Sequence, residues 1–178
     1  MRNLPEIRDA KPSDAKAMIA YQKRIYENAQ HMVTAVDEFG VGVWRQRFWI
    51  ARKATSKLER CLVATHDGHI VAMLDSWTDR RRRVAHSTSF AMSVAEGWRC
   101  KGLGKKLLSH FIVWVQKHPT LERIELHVHA DNTHAIELYT QLGFTLEGTR
   151  KNAVRYEDGR IVDDHIMALW PGKLNKAI

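Results

Sequence analysis

Cysteine is scarce: Cys61 and Cys100 are the two in a chain of 178 residues. Two thiols this far apart make neither a disulfide framework nor a metal-ligand spacing, so a reducing cytoplasm is the expected compartment. Long apolar runs are missing as well. No stretch approaches a transmembrane span, and Met1-Arg2-Asn3-Leu4-Pro5 is not followed by an apolar signal region. Nothing points to a membrane partner. Internal repeats, low-complexity linkers and compositional breaks are absent too. One domain over residues 1–178 is therefore expected, with a core spanning residues 5–170 and a loose tail over 171–178. Acidic residues are outnumbered, 20 against 28 Lys and Arg, for a formal net charge of +8. That excess favours polyanionic partners, and a cofactor with several phosphates is one of them. A hydrophobic content of 44% beside 27% charged residues describes a soluble globular protein with a real core.

Against that background one stretch carries a ligand signature: Val94-Ala95-Glu96-Gly97-Trp98-Arg99-Cys100-Lys101-Gly102-Leu103-Gly104-Lys105-Lys106-Leu107-Leu108. Before it Phe90, Met92 and Val94 alternate at the strand period. After it Leu103, Leu107, Phe111, Trp114 and Val115 recur at helical spacing. Between them lies a basic loop in which Gly102 and Gly104 let a ligand approach the backbone. The first amides of the following helix lack internal partners and sit at its positive pole. Loop, helix start and Arg99, Lys101, Lys105 and Lys106 together describe a seat for a phosphate or pyrophosphate.

Two familiar phosphate loops fail on spacing. The Walker pattern requires Lys-Ser/Thr after its last glycine, and here Leu103 follows Gly102. The dinucleotide fingerprint requires a third glycine where Leu107 stands. What remains is Arg-x-x-Gly-x-Gly.

The rest of the chain reads as an α/β alternation. Residues 5–9 predict a short strand, and Ser13 or Asp14 caps a helix running to about Ala29. Residues 31–43 are irregular, and a second helix covers Trp44 to Ala54. Arg60–Thr65 and His69–Trp77 are strands around an Asp67-Gly68 hairpin turn. The charged loop Asp79–Arg83 leads into a long strand from Val84 to Val94. After the helix that follows the basic loop, Glu122–Ala130 is a strand. Thr133–Leu142 is a helix between Asn132 and Gly143. Strands over 144–156 and Ile161–Trp170 close the chain.

This element order, with two motifs set in it, resembles the GNAT superfamily of N-acetyltransferases. The first motif is the Arg99–Gly104 loop. The second is Asn132-Thr133-His134-Ala135-Ile136-Glu137-Leu138-Tyr139-Thr140-Gln141-Leu142-Gly143-Phe144, similar to that family's Asn-x-x-Ala-x-x-Leu-Tyr-x-x-x-Gly-Phe. The resemblance covers nearly the whole chain and is closest to the small bacterial branch with protein N-terminal and small-molecule acetyltransferases. It implies a central mixed, mostly antiparallel twisted sheet of about seven strands with about four helices. It implies acetyl-CoA as donor and no metal.

By the same resemblance Met92, Ser93 and Val94 offer backbone groups to the pantetheine arm. Arg99, Cys100, Lys101, Gly102, Leu103, Gly104 and Lys105 bind the pyrophosphate, and Asn132 bonds the arm. Cys100 stands where the family often has glycine, so it should crowd the loop slightly. Tyr139 is expected to donate its hydroxyl to the departing sulfur. For the base, His86, Glu38, Asp75 and Tyr156 are the candidates and none stands out. Cys100, beside Arg99 and Lys101 at a helix start, is expected to be sensitive to oxidation.

Other features read as ordinary surface. His127-x-His129 puts two imidazoles on one strand face, expected to be a solvated or partner-facing edge, since no third metal ligand has a recognisable spacing. Arg80–Arg83 reads as a solvated loop. The expectation is direct acetyl transfer from acetyl-CoA to a primary amine of a small molecule, with a protein N-terminus as the alternative acceptor. A non-catalytic module that binds acyl-CoA or RNA is the reading of a different class. Nucleic acid is not expected as a partner, and homodimerisation stays open.

Overall fold

The computed structural model describes residues 4–28, 31–32 and 36–173. The expected end of the first helix at Ala29 and most of the expected tail lie outside them. The elements are β1 (Glu6–Asp9), α1 (Ala15–Asn28), α2 (Val43–Thr55), β2 (Cys61–His66), β3 (His69–Thr78), β4 (Ser87–Val94), α3 (Leu103–Gln116), β5 (Arg123–His129), α4 (Thr133–Gln141), β6 (Thr145–Arg155) and β7 (Ile161–Leu169). They form a seven-stranded sheet in the order β1-β2-β3-β4-β5-β7-β6. β4 pairs with β5 in parallel, while β1 with β2, β2 with β3, β5 with β7 and β6 with β7 are antiparallel. The sheet is thus mixed and mostly antiparallel, as expected.

Contacts divide the chain into two compact units, residues 1–77 with 91–108, and residues 78–90 with 109–178. In the first, the apolar stripe of α1 (Ala15, Met18, Tyr21, Ile25) is buried with Ile50 of α2 and with Cys61, Val63 and Ile70 of the β2–β3 hairpin. The start of α1 is pinned electrostatically. Asp14 accepts the Lys11 amide at 2.7 Å and both guanidinium nitrogens of Arg8 at 2.7 and 3.0 Å. The Asp67-Gly68 turn has φ of 47° and 75°, both in the left-handed region a two-residue hairpin requires.

In the second unit Phe90 of β4 meets Phe111 of α3 at 5.7 Å, Tyr139 of α4 at 6.0 Å and Phe144 at 6.2 Å between ring centroids. This aromatic cluster fixes α4, and with it Tyr139.

Two expectations change. The strand predicted from Val84 begins at Ser87, because the Val84 and Ala85 amides both close a turn on the Arg81 carbonyl at 3.0 Å. The strand that carries His127 and His129 is not an edge. β5 lies between β4 and β7, and His127 is opposite Ile166 and His129 opposite Asp164 on β7. A polar row on an interior strand is a sheet face, and its neighbours come from β4, β7 and β6.

Candidate active site

The basic loop belongs to the first unit. After β4 comes a single 3-10 turn over Glu96–Trp98, closed by the Trp98 amide on Ala95 O at 2.8 Å. The chain then reverses through two left-handed residues, Cys100 with φ 56° and Gly102 with φ 77°. α3 starts at Leu103, and its first bond runs from the Lys106 amide to Gly102 O at 3.0 Å. Cys100 is therefore a turn residue ahead of the helix. Its side chain points into solvent, but its backbone adopts a conformation that costs an L-residue roughly 1–2 kcal/mol more than glycine. Crowding in this loop is conformational.

A Cβ built on Gly102 meets no atom within 4 Å, so the space above the loop is open. The amides of Leu103, Gly104 and Lys105 precede the first helical bond and carry the helix's positive pole. Arg99, Lys101, Lys105 and Lys106 are all exposed around it. Open space, helix-start amides and cations are the donor set that a pyrophosphate requires, so these residues fit coenzyme A.

Two of the cations are folded onto the loop itself. Arg99 Nε donates to Val94 O at 3.2 Å, and Lys101 Nζ donates to Gly97 O at 2.6 Å and lies 5.7 Å over the Trp98 ring. Upstream, Met92, Ser93 and Val94 are half-buried at the end of β4. Ser93 Oγ and Tyr21 Oη are 3.0 Å apart, and burial pushes the Tyr21 hydroxyl up to about 12. The parallel ladder of β4 with β5 covers Ser87–Ser89 against Arg123–Glu125, and β4 runs on past it to Val94.

Asn132 and Tyr139 belong to the second unit. Asn132 caps α4, its Oδ1 accepting the Ala135 amide at 3.3 Å. At the other end Gly143 has φ 90°, and the Phe144 amide returns to Tyr139 O at 3.0 Å. Tyr139 is 8% exposed, and burial pushes its hydroxyl up to about 12. It stays protonated at neutral pH. Among the described residues no hydrogen bond to that hydroxyl is present.

The four base candidates separate. The His86 ring stacks on Trp170 at 6.1 Å. Glu38 is exposed in a short 3-10 turn. Asp75 is pushed up to about 6 by burial, against the pull of Lys53. Lys53 Nζ, itself 3% exposed, lies 2.8 Å from Asp75 and 3.4 Å from Glu59 and donates to Ser76 O. Asp75 is half of a buried ion pair clamping α2 to the hairpin, and freeing it would strand a buried ammonium. Tyr156 Oη donates to Asp131 at 2.9 Å and meets His129 Nδ1 at 2.9 Å. Its hydroxyl is raised well above the ordinary tyrosine value by burial and then by Asp131, so it holds its proton.

One arrangement escaped the sequence reading. His127 Nδ1 is 2.7 Å from Asp164 Oδ2, 37 residues away, and that carboxylate is 2% exposed. Alternating polar residues at Arg123, Glu125, His127 and His129 were the available signal. The partner strand was not legible beside them. Elsewhere, Arg80–Arg83 are exposed, and Arg81 pairs with Asp79, as a solvated loop should. No group of His, Cys, Asp or Glu among the described residues could hold a metal ion. No helix among them is long and apolar enough to cross a membrane.

Comparison with known proteins agrees with this geometry. The model of the acetyltransferase (GNAT) family matches residues 21–144. The L-amino acid N-acetyltransferase AaaT of Escherichia coli is 31% identical over 91% of this chain and 95% of its own length. The ribosomal protein bS18-alanine N-acetyltransferase of the same organism is 39% identical, over 47% of this chain and 55% of its own. Among solved structures, a GNAT-family acetyltransferase from Streptococcus pneumoniae superposes with a TM-score of 0.90 at 26% identity, covering 93% of this chain and 99% of that one. An acetyltransferase from Salmonella typhimurium, solved with its cofactor acetyl-CoA, has a TM-score of 0.82 at 19% identity, covering 95% of each chain. Loop, capped helix, strand order and family match converge, and this chain belongs to the GNAT family of acetyltransferases.

Proposed function

We propose that this acyltransferase carries the acetyl group of acetyl-CoA directly to the primary amine of a small molecule. The observation that carries the reading is the loop at 99–104, where a left-handed Gly102 opens onto empty space directly before the α3 amides. Coenzyme A, when bound, supplies the activated acetyl thioester. Arg99 and Lys101, leaving their present bonds to Val94 O and Gly97 O, neutralise the pyrophosphate together with Lys105. Cys100, Leu103 and Gly104 contribute backbone, Met92, Ser93 and Val94 pair with the pantetheine arm in the manner of an added strand, and Asn132 bonds it. Tyr139 donates a hydrogen bond to the sulfur as negative charge builds there. Its raised pKa makes full proton transfer to a thiolate of ordinary pKa (~8.5) uphill, so its part is electrostatic stabilisation.

The acceptor class rests on relatedness. The L-amino acid N-acetyltransferase relative aligns along nearly its whole length, whereas the ribosomal-protein relative aligns over about half of its own. Free L-amino acids are accordingly the preferred acceptors, and a protein N-terminal alanine is the second reading. A panel of free amino acids, other small amines and short N-terminal peptides, read by release of free CoA thiol, separates them. Turnover confined to free amino acids and small amines supports the first reading. Turnover confined to peptides replaces it with the second.

A further inference from the structure

We propose that Tyr156 is a positioning residue for the donor, its hydroxyl stapling the turn that delivers Asn132 to the pantetheine arm. The role rests on the Asn132 reading above and extends it to a side chain that touches no substrate. β5 ends at His129, and the Asn132 amide returns to the His129 carbonyl at 2.9 Å. That bond closes a reverse turn over 129–132. Asn132 then caps α4. Its Oδ1 accepts the Ala135 amide at 3.3 Å, and its backbone carbonyl accepts the Ile136 amide at 3.1 Å. With Oδ1 committed to the helix, Nδ2 is the group left to donate to a carbonyl of the arm. The turn before Asn132 sets the direction of that donor.

The turn is held from outside by the β6–β7 hairpin. The Ala130 amide donates to Asp163 O at 2.9 Å. The side chains on either side of Ala130 meet at one atom. Tyr156 Oη lies 2.9 Å from His129 Nδ1 and 2.9 Å from Asp131 Oδ1. Proton bookkeeping fixes the roles. An ionised carboxylate only accepts, so the single phenolic proton goes to Asp131. The Tyr156 oxygen then accepts from His129, and Nδ1 carries the hydrogen. Tyr156 and His129 are 8% and 4% exposed, so a partner lost here is poorly replaced by water.

Tyr156 is itself anchored in the turn after β6. Its amide donates to Arg160 O at 2.9 Å, and the Gly159 amide returns to Tyr156 O at 3.0 Å. The Arg160 guanidinium folds back to 5.0 Å over the ring, with Nη1 3.8 Å from Asp131. One hydroxyl on a rigid hairpin therefore joins the first and third residues of the turn whose fourth is Asn132.

Isothermal titration with CoA reads this role without turnover. Tyr156→Phe and Asp131→Ala should each weaken CoA binding about tenfold, the scale of one charge-assisted hydrogen bond. Asp131→Asn keeps an accepting oxygen and should regain most of the affinity lost in Asp131→Ala. In an Asn132→Ala background neither substitution should weaken binding further, because both act through that side chain. At saturating acetyl-CoA, kcat should fall far less than affinity, a split that a general loss of stability does not produce. The Asp131 side chain is 30% exposed, so its variants decide the matter should Tyr156→Phe fail to fold. Unchanged affinity in Tyr156→Phe and Asp131→Ala, losses that add in full to that of Asn132→Ala, or a fall in kcat alone overturns the role while the Asn132 reading stands. Unchanged affinity in Asn132→Ala overturns that reading and this role together.

Discussion

Tyr139→Phe is expected to lower kcat by roughly a hundred- to a thousandfold, the cost of removing one preorganised donor from a developing anion. The KM for acetyl-CoA should change little. The substitution keeps the ring, and the ring is what packs: Phe90 and Phe144 lie 6.0 and 5.8 Å from it, the first edge-on at 81°. The hydroxyl makes no hydrogen bond among the described residues, so its loss strands no protein partner and folding should be preserved. A buried phenol pushed up to about 12 is a neutral donor throughout the working range. The effect should therefore be independent of pH. Steady-state kinetics with saturating acceptor give the two constants. An unchanged kcat would remove Tyr139 from the chemistry and leave it a packing residue of α4.

Gly102→Val is expected to raise the KM for acetyl-CoA about a hundredfold with a smaller effect on kcat, an energy of about 2.8 kcal/mol at 1.4 kcal/mol per tenfold. Two costs contribute. At φ 77° a β-branched residue is strongly disfavoured, so the loop relaxes and must be rebuilt on binding. The added carbons also occupy the open space above the loop, where the phosphates would approach the α3 amides. Cys100→Gly is the opposite experiment at the neighbouring left-handed residue. Removing its strain should lower the KM a few-fold, in line with the roughly 1–2 kcal/mol that an L-residue costs there, less the chain entropy a glycine adds. Steady-state rates with acetyl-CoA varied give both KM values, and isothermal titration with CoA gives the matching dissociation constants. If valine binds as tightly as wild type, the phosphates do not sit over this loop.

Much of this was legible from the chain alone because its signals are local. The Asp67-Gly68 turn, the Asn132 cap and the Gly143 stop each depend on residues within a few positions, and each appears where the pattern predicted it. The long-range pairings were not legible. Ser93 meets Tyr21 across 72 residues and His127 meets Asp164 across 37. A side chain's alternation on a strand tells which face it takes, and only the strand order tells what stands opposite. That is why His127 read as an edge residue and Asp75 as a candidate base, when one is bonded to a buried carboxylate and the other is clamped to Lys53. The beginning of β4 was misplaced for a related reason. Val84-Ala85-His86 has strand composition, but the Arg81 carbonyl holds it in a turn.

The central claim, direct transfer from acetyl-CoA to an amine, is tested most directly by initial velocities with donor and acceptor varied together, following free CoA thiol. A single ternary complex containing both substrates predicts intersecting reciprocal plots and one thiol released for each acetylated amine. Parallel lines, or an acetylated enzyme isolated after donor alone, would show a covalent intermediate and contradict the account.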